Sequence, residues 1–143
     1  MKSDFWDTSG LLALQCAKDL FHQAAEAAFR SGAVAARRSR EEFYSAATGR
    51  MGVPPAITVK LLAELDSFFK WLPTHDDSID DEILTAPRRG IQGRILYDAI
   101  LARVAKDYDC KTIVTANPTH FRHVYPSAQI IDLTLGIKSQ ARE

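Results

Sequence analysis

Short apolar runs of β type alternate with helical stretches of about ten residues or more along this chain, and that alternation admits few architectures. Thr112-Ile113-Val114-Thr115 reads as a buried strand, cut by Asn117-Pro118. Phe5-Trp6 is a second short apolar run, closed by the turn and helix-start signal Asp7-Thr8-Ser9-Gly10. Weaker strand candidates centre on Val34 and on Ile130-Ile131. Helix is predicted from Leu11 to Arg30, stopped by Ser31-Gly32, and again from Ser39 to Thr48. Leu61, Leu62, Leu65, Phe68, Phe69 and Leu72 keep helical spacing from Ile57 onward, although Lys70 to Pro73 also suits a short strand. Asp77 to Ala86 and Gly93 to Tyr108 complete the helices. Together these elements predict an α/β domain, a mainly parallel sheet with helices on both faces. Such sheets bind ligands beyond the carboxyl ends of their strands. That directs attention to Asp7, to the residues after Val34, and to Asn117.

The 143 residues suit one domain and bury a sizeable core. Eighteen basic residues balance eighteen acidic ones, so bulk charge favours neither nucleic acid nor membrane. No apolar run reaches the ~18 residues of a membrane span, and the opening MKSDFW lacks a secretory apolar stretch. The expectation is a soluble, cytoplasmic protein. Cys16 and Cys110 are too far apart in sequence to suggest a disulfide framework or a zinc site. Phosphate-binding glycine motifs, a nucleophile elbow and a metal-binding His/Cys set are all missing. His120 and His123 read as surface histidines. Locally, charge is uneven. Arg30, Arg37, Arg38, Arg40 and Arg50 cluster against Glu41 and Glu42, an acidic block runs from Asp76 to Glu82, and Arg88, Arg89 and Arg94 follow. Such blocks are usually solvated faces; a basic rim for an anionic polymer is the functional reading, and charge alone does not choose between them.

Four residues can carry chemistry, and each also has a structural account. Asp98 sits in a helix apolar almost all round, where a carboxylate needs a partner; Arg94 one turn back is the structural choice. Asp7 can cap the helix that follows it. Glu42 stands three residues after Ser39, the capping-box spacing. Asn117 before Pro118 fits an N-cap. All four fall at strand ends or first helical turns.

Four segments, in order, resemble those of PIN-domain proteins, in particular the VapC-like toxins of prokaryotic toxin–antitoxin pairs. Phe5-Trp6-Asp7-Thr8-Ser9-Gly10-Leu11-Leu12 is similar to the family's opening strand and D-T-[SN] turn, with Trp6 where aliphatic residues are usual. Ser39 to Thr48 is similar to its S-x-x-E-[FL]-x-x-x-x-T helix, and Gly93 to Ala99 to its G-R-x-x-D-A helix start, one residue longer here. Thr115-Ala116-Asn117-Pro118-Thr119-His120-Phe121 is similar to its T-x-[ND]-x-x-[DH]-F turn. The resemblance runs from about Phe5 to Leu133, leaving a short tail, 134–143.

It implies a single three-layer α/β/α domain, 1–143, with a sheet of about five short strands. It further implies a divalent-metal-dependent endoribonuclease, the toxin of such a pair. Asp7, Glu42 and Asp98 would hold magnesium or manganese, with Asn117 at a fourth catalytic position. Thr8, Ser9 and Thr115 would be hydroxyls supporting the metal or contacting substrate. Arg38, Arg40 and Arg94 would bind the RNA backbone. An antitoxin protein and a second copy of the chain would be partners, without any membrane. The competing expectation is a non-catalytic PIN-like module binding RNA or protein, its carboxylates only capping helices or pairing with arginines.

Overall fold

The computed structural model describes residues 3–135, so most of the expected tail lies outside the described residues. The elements run β1 (Asp4–Trp6), α1 (Thr8–Gln15), α2 (His22–Ala28), β2 (Val34–Ala36), α3 (Ser39–Thr48), α4 (Pro55–Phe68) and β3 (Lys70–Leu72). Then follow α5 (Asp76–Thr85), a 3-10 turn (Pro87–Arg89), α6 (Ile95–Asp107), β4 (Thr112–Thr115), α7 (Pro118–Val124) and β5 (Gln129–Asp132). The strands form one sheet in the order β3-β2-β1-β4-β5, and every pairing is parallel. The α/β class expected from the sequence is therefore the class observed. No helix among the described residues is long and apolar enough to cross a membrane.

Strand side chains alternate between two cores, which is what makes three layers. Phe5, Val34 and Ile113 face α6 and α7, where Leu101, Val104 and Phe121 pack. Trp6, Ala35 and Val114 face the opposite way, toward Leu11, Phe43, Leu65 and Phe69. Phe5 and Trp6 are fully buried, and each such burial stabilises the fold by about 2–3 kcal/mol. Asp4, also buried, is matched by Arg30, whose Nε and Nη2 donate to its two oxygens at 2.8 and 2.6 Å.

Trp6 fits because two features make room for it. Phe29 and Phe69 meet its ring edge-on, with centroids 6.1 and 5.8 Å away. Gly10 supplies the second. A Cβ there would lie 3.0 Å from Trp6 Cε3 and 3.1 Å from the Val114 carbonyl. Only a residue without a side chain lets α1 cross that close to the sheet.

Two boundary expectations are corrected. The helix predicted from Leu11 to Arg30 is two helices, α1 and α2, separated at Cys16–Phe21. Asp19 Oδ1 accepts from the Phe21 N–H at 2.9 Å, a side-chain turn that competes with helix, and His22 Nδ1 lies 2.8 Å from the Ala13 carbonyl. The helical spacing from Ile57 to Leu72 ends at Phe68, and Lys70–Leu72 is the strand that was its alternative.

β1 lies between β2 and β4, with the chain winding to one side through β2 and β3 and to the other through β4 and β5. The change of direction opens a crevice at the carboxyl ends of β1 and β4. Trp6 pairs with Val114, so Asp7 and Thr115 emerge side by side.

Candidate active site

Asp7 is the first residue beyond β1, and its N–H donates to the Val114 carbonyl at 3.2 Å. Its Oδ1 accepts from the Gly10 N–H at 2.8 Å, so the capping account of this residue holds. The carboxylate does more than cap. Ser9 Oγ donates to it at 2.8 Å and Thr115 Oγ1 donates to Oδ2 at 2.7 Å. Those hydroxyls in turn accept the N–H groups of Ala116 (2.9 Å) and Asn117 (2.8 Å). One carboxylate thereby ties the start of α1 to the loop after β4. Burial pushes its pKa up to about 7, against the hydrogen bonds from Thr115, Gly10 and Ser9, while the negative charge of Asp98 adds to the rise.

Glu42 lies on the first turn of α3, but not in a capping box: Ser39 is inside the helix, and no side chain caps its start. Instead the Thr8 hydroxyl donates to Glu42 Oε2 at 2.7 Å and lies 3.0 Å from Ser39 Oγ. Arg38 Nε stands 3.6 Å from Oε1.

Asp98, on the first turn of α6, does not pair with Arg94. Its Oδ2 is 2.6 Å from His120 Nδ1. Burial raises its pKa, and His120 and Arg94 oppose the rise. His120, on the first turn of α7, keeps the partial exposure expected of a surface histidine, but its pairing with the Asp98 carboxylate was not foreseen. Its signal in the sequence was its place in the Thr115–Phe121 turn.

Asp7, Thr8, Ser9, Glu42, Asp98, Asn117 and His120 line a single cleft of about 1240 Å³, with Arg38 and Arg94 at its edge. Two expected substrate residues stand outside that lining. Thr115 is buried beneath Asp7. Arg40 donates from Nε and Nη2 to Asp66 at 3.1 and 3.0 Å and lies over the Trp71 ring at 5.7 Å. Asn117 precedes Pro118 at the head of α7, yet its side chain makes no cap bond. The sequence reading did not foresee that Lys18, Leu20 and Phe21, in the break between α1 and α2, form a wall of the cleft.

Among the described residues no three His, Cys, Asp or Glu side chains form a ready-made metal cage. The donors nonetheless suit a hard divalent ion in kind, being carboxylate oxygens on one cleft floor. The negative charge of Asp98 adds to the cost of ionising Asp7, which a nearby cation would relieve. An ion that keeps several waters, as magnesium does, needs no complete protein cage.

The sequence profile of the PIN domain matches residues 5–125. Among solved structures the chain is similar to VapC20 of Mycobacterium tuberculosis, described as a sarcin-ricin loop cleaving toxin, at 19% identity and a TM-score of 0.66, over 78% of this chain and 87% of that one. It is also similar to PAE2754 of Pyrobaculum aerophilum, at 22% identity and a TM-score of 0.61, over 99% and 98% of the two chains. At these identities the likeness is one of fold. No curated protein matches the sequence.

Proposed function

The chain belongs to the PIN-domain family, and from that premise we propose that it is a divalent-metal-dependent endoribonuclease, the toxin of a toxin–antitoxin pair. The observation that carries the reading is the meeting of Asp7, Glu42 and Asp98 on one cleft at the sheet's change of direction. These three would hold magnesium or manganese. When bound, that ion supplies Lewis-acid polarisation of a phosphodiester and activation of water.

The chain's own residues do the rest. Ser9 and Thr115 fix the Asp7 carboxylate from two sides, and Thr8 steadies Glu42. Asn117 brings a neutral amide to the cleft in place of a further charge. Arg38 and Arg94 draw the anionic backbone in, which makes affinity fall with salt. Hydrolysis then adds the elements of water across a P–O bond and leaves two shorter strands. An antitoxin protein, a second copy of the chain and a cytoplasmic setting belong to this reading by family. The exposed Ile57, Val59 and Phe68 of α4 offer apolar surface to a protein partner.

A non-catalytic RNA- or protein-binding module is the second reading. It draws on the fact that each carboxylate already has an internal partner, His120, Thr8 or Ser9. Manganese calorimetry on the wild type and on Asp7→Asn/Asp98→Asn, with circular dichroism as fold control, separates the two. The nuclease reading expects binding and RNA cleavage in the wild type and neither in the folded double variant. A wild type that binds no manganese and cleaves no RNA leaves the module.

A further inference from the structure

We propose that Tyr97 is the base-binding residue of the cleft, a platform on which an unpaired nucleobase stacks beside the phosphate to be cut. The proposal rests on the nuclease reading for the phosphate, and adds the base.

Tyr97 occupies the first turn of α6, immediately before Asp98 and three residues after Arg94, so all three share one end of the helix. The rest of α6 turns its apolar residues inward, with Ala99, Ile100, Leu101, Ala102, Val104 and Ala105 all buried. Tyr97 is 51% exposed, and it lines the cleft. Among the described residues its ring and hydroxyl meet no hydrogen-bond or aromatic partner. The other tyrosines differ. Tyr125 donates to the Cys110 carbonyl, Tyr108 approaches His75 at 3.5 Å, and the equally free Tyr44 lies outside the cleft lining.

A flat, wet ring beside an acidic floor has little to offer a phosphate but much to offer a base. Every base has a π-face, and single-stranded RNA presents that face where a duplex hides it in its own stack. Arg94 and Arg50 line the same cleft, are exposed, and form no ion pair among the described residues, so phosphates flanking the base have cations to meet. Leu20, 74% exposed, gives the base an apolar wall to close against.

The test uses a fluorescent single-stranded RNA pool of randomised sequence, about 20 nucleotides long, and the corresponding duplex. Binding is read by anisotropy on an Asp7→Asn background, which the nuclease reading makes unable to cleave. Tyr97→Ala is expected to weaken single-strand binding about tenfold without changing its salt slope, while Tyr97→Trp keeps it and Tyr44→Ala leaves it alone. Duplex binding is expected to be weaker and indifferent to Tyr97. Unchanged single-strand binding by Tyr97→Ala, with manganese-dependent cleavage intact on the otherwise wild-type chain, overturns the stack alone and points Tyr97 toward a protein partner. Preference for the duplex overturns it too. A wild type that neither binds nor cleaves either RNA overturns both readings.

Discussion

Asp98 Oδ2 and His120 Nδ1 lie 2.6 Å apart, joining the first turn of α6 to the first turn of α7 across the cleft. The imidazole occupies one carboxylate oxygen and so sets the direction in which the other points. Groups that orient a metal-binding carboxylate in this way typically matter ten- to a hundredfold in affinity. His120→Ala is expected to weaken manganese binding about tenfold, and His120→Asn, whose amide can replace Nδ1, to recover part of it. Calorimetry at constant pH measures both.

The buried Asp7 makes the metal-free fold pH-sensitive. Its folded pKa of about 7 stands above the ordinary 3.8. The folded state therefore binds more protons than the unfolded one between those values, and stability falls as pH rises through that window. The loss approaches something on the order of 4 kcal/mol above pH 7. Asp7→Asn removes the penalty while its Oδ1 can still cap Gly10. Urea melts of the metal-free proteins should show the variant overtaking the wild type as pH goes from 5 to 8.

Manganese should reverse the effect. At about 100 times its Kd a ligand specific for the folded state adds about 2.7 kcal/mol. The melting temperature of the wild type is expected to rise by several degrees, more at pH 8 than at pH 6, because protons compete for Asp7 below its pKa. Asp7→Asn/Asp98→Asn should not respond. Scanning calorimetry with and without chelator reads the difference.

Arg40 and Arg94 should behave oppositely. Arg40 is committed to Asp66 and the Trp71 ring, so Arg40→Ala is expected to lower stability and leave the salt dependence of RNA binding unchanged. Arg94→Ala should weaken binding of all RNA sequences alike and reduce the salt slope by about one.

Gly10→Ala probes the close approach of α1 to the sheet. Its Cβ would press on Trp6 and the Val114 carbonyl, and the backbone cannot give way as a flexible side chain can. A loss of about 1–3 kcal/mol is expected in urea unfolding, despite alanine's better helix propensity.

What could be read from the sequence was local. β4 announces itself as Thr-Ile-Val-Thr, and the capping role of Asp7 follows from its neighbours. The partners of the site carboxylates could not be read, because Thr8 reaches Glu42 across 34 positions and Asp98 meets His120 across 22. Arg94 and Ser39 looked like the natural partners only because helix spacing places them close. The break between α1 and α2 was equally hidden, since an Ala- and Leu-rich run carries no proline or glycine to mark it, and the side chains of Asp19 and His22 bond to the backbone there instead. Arg40 looked like part of a basic rim because charge blocks do not show which arginines are already occupied.

The parallel pairing of β1 with β4 places Phe5 against Ile113, more than a hundred residues downstream. Asp7 gets its Thr115 hydroxyl, and Asp98 its His120, only from that distal stretch. A ribosome that has made the first hundred residues has therefore made every proposed carboxylate ligand and no working cleft. Assembly waits on the slow, long-range closure of β1 against β4, so the carboxylates gain their partners only once the chain has been made as far as His120.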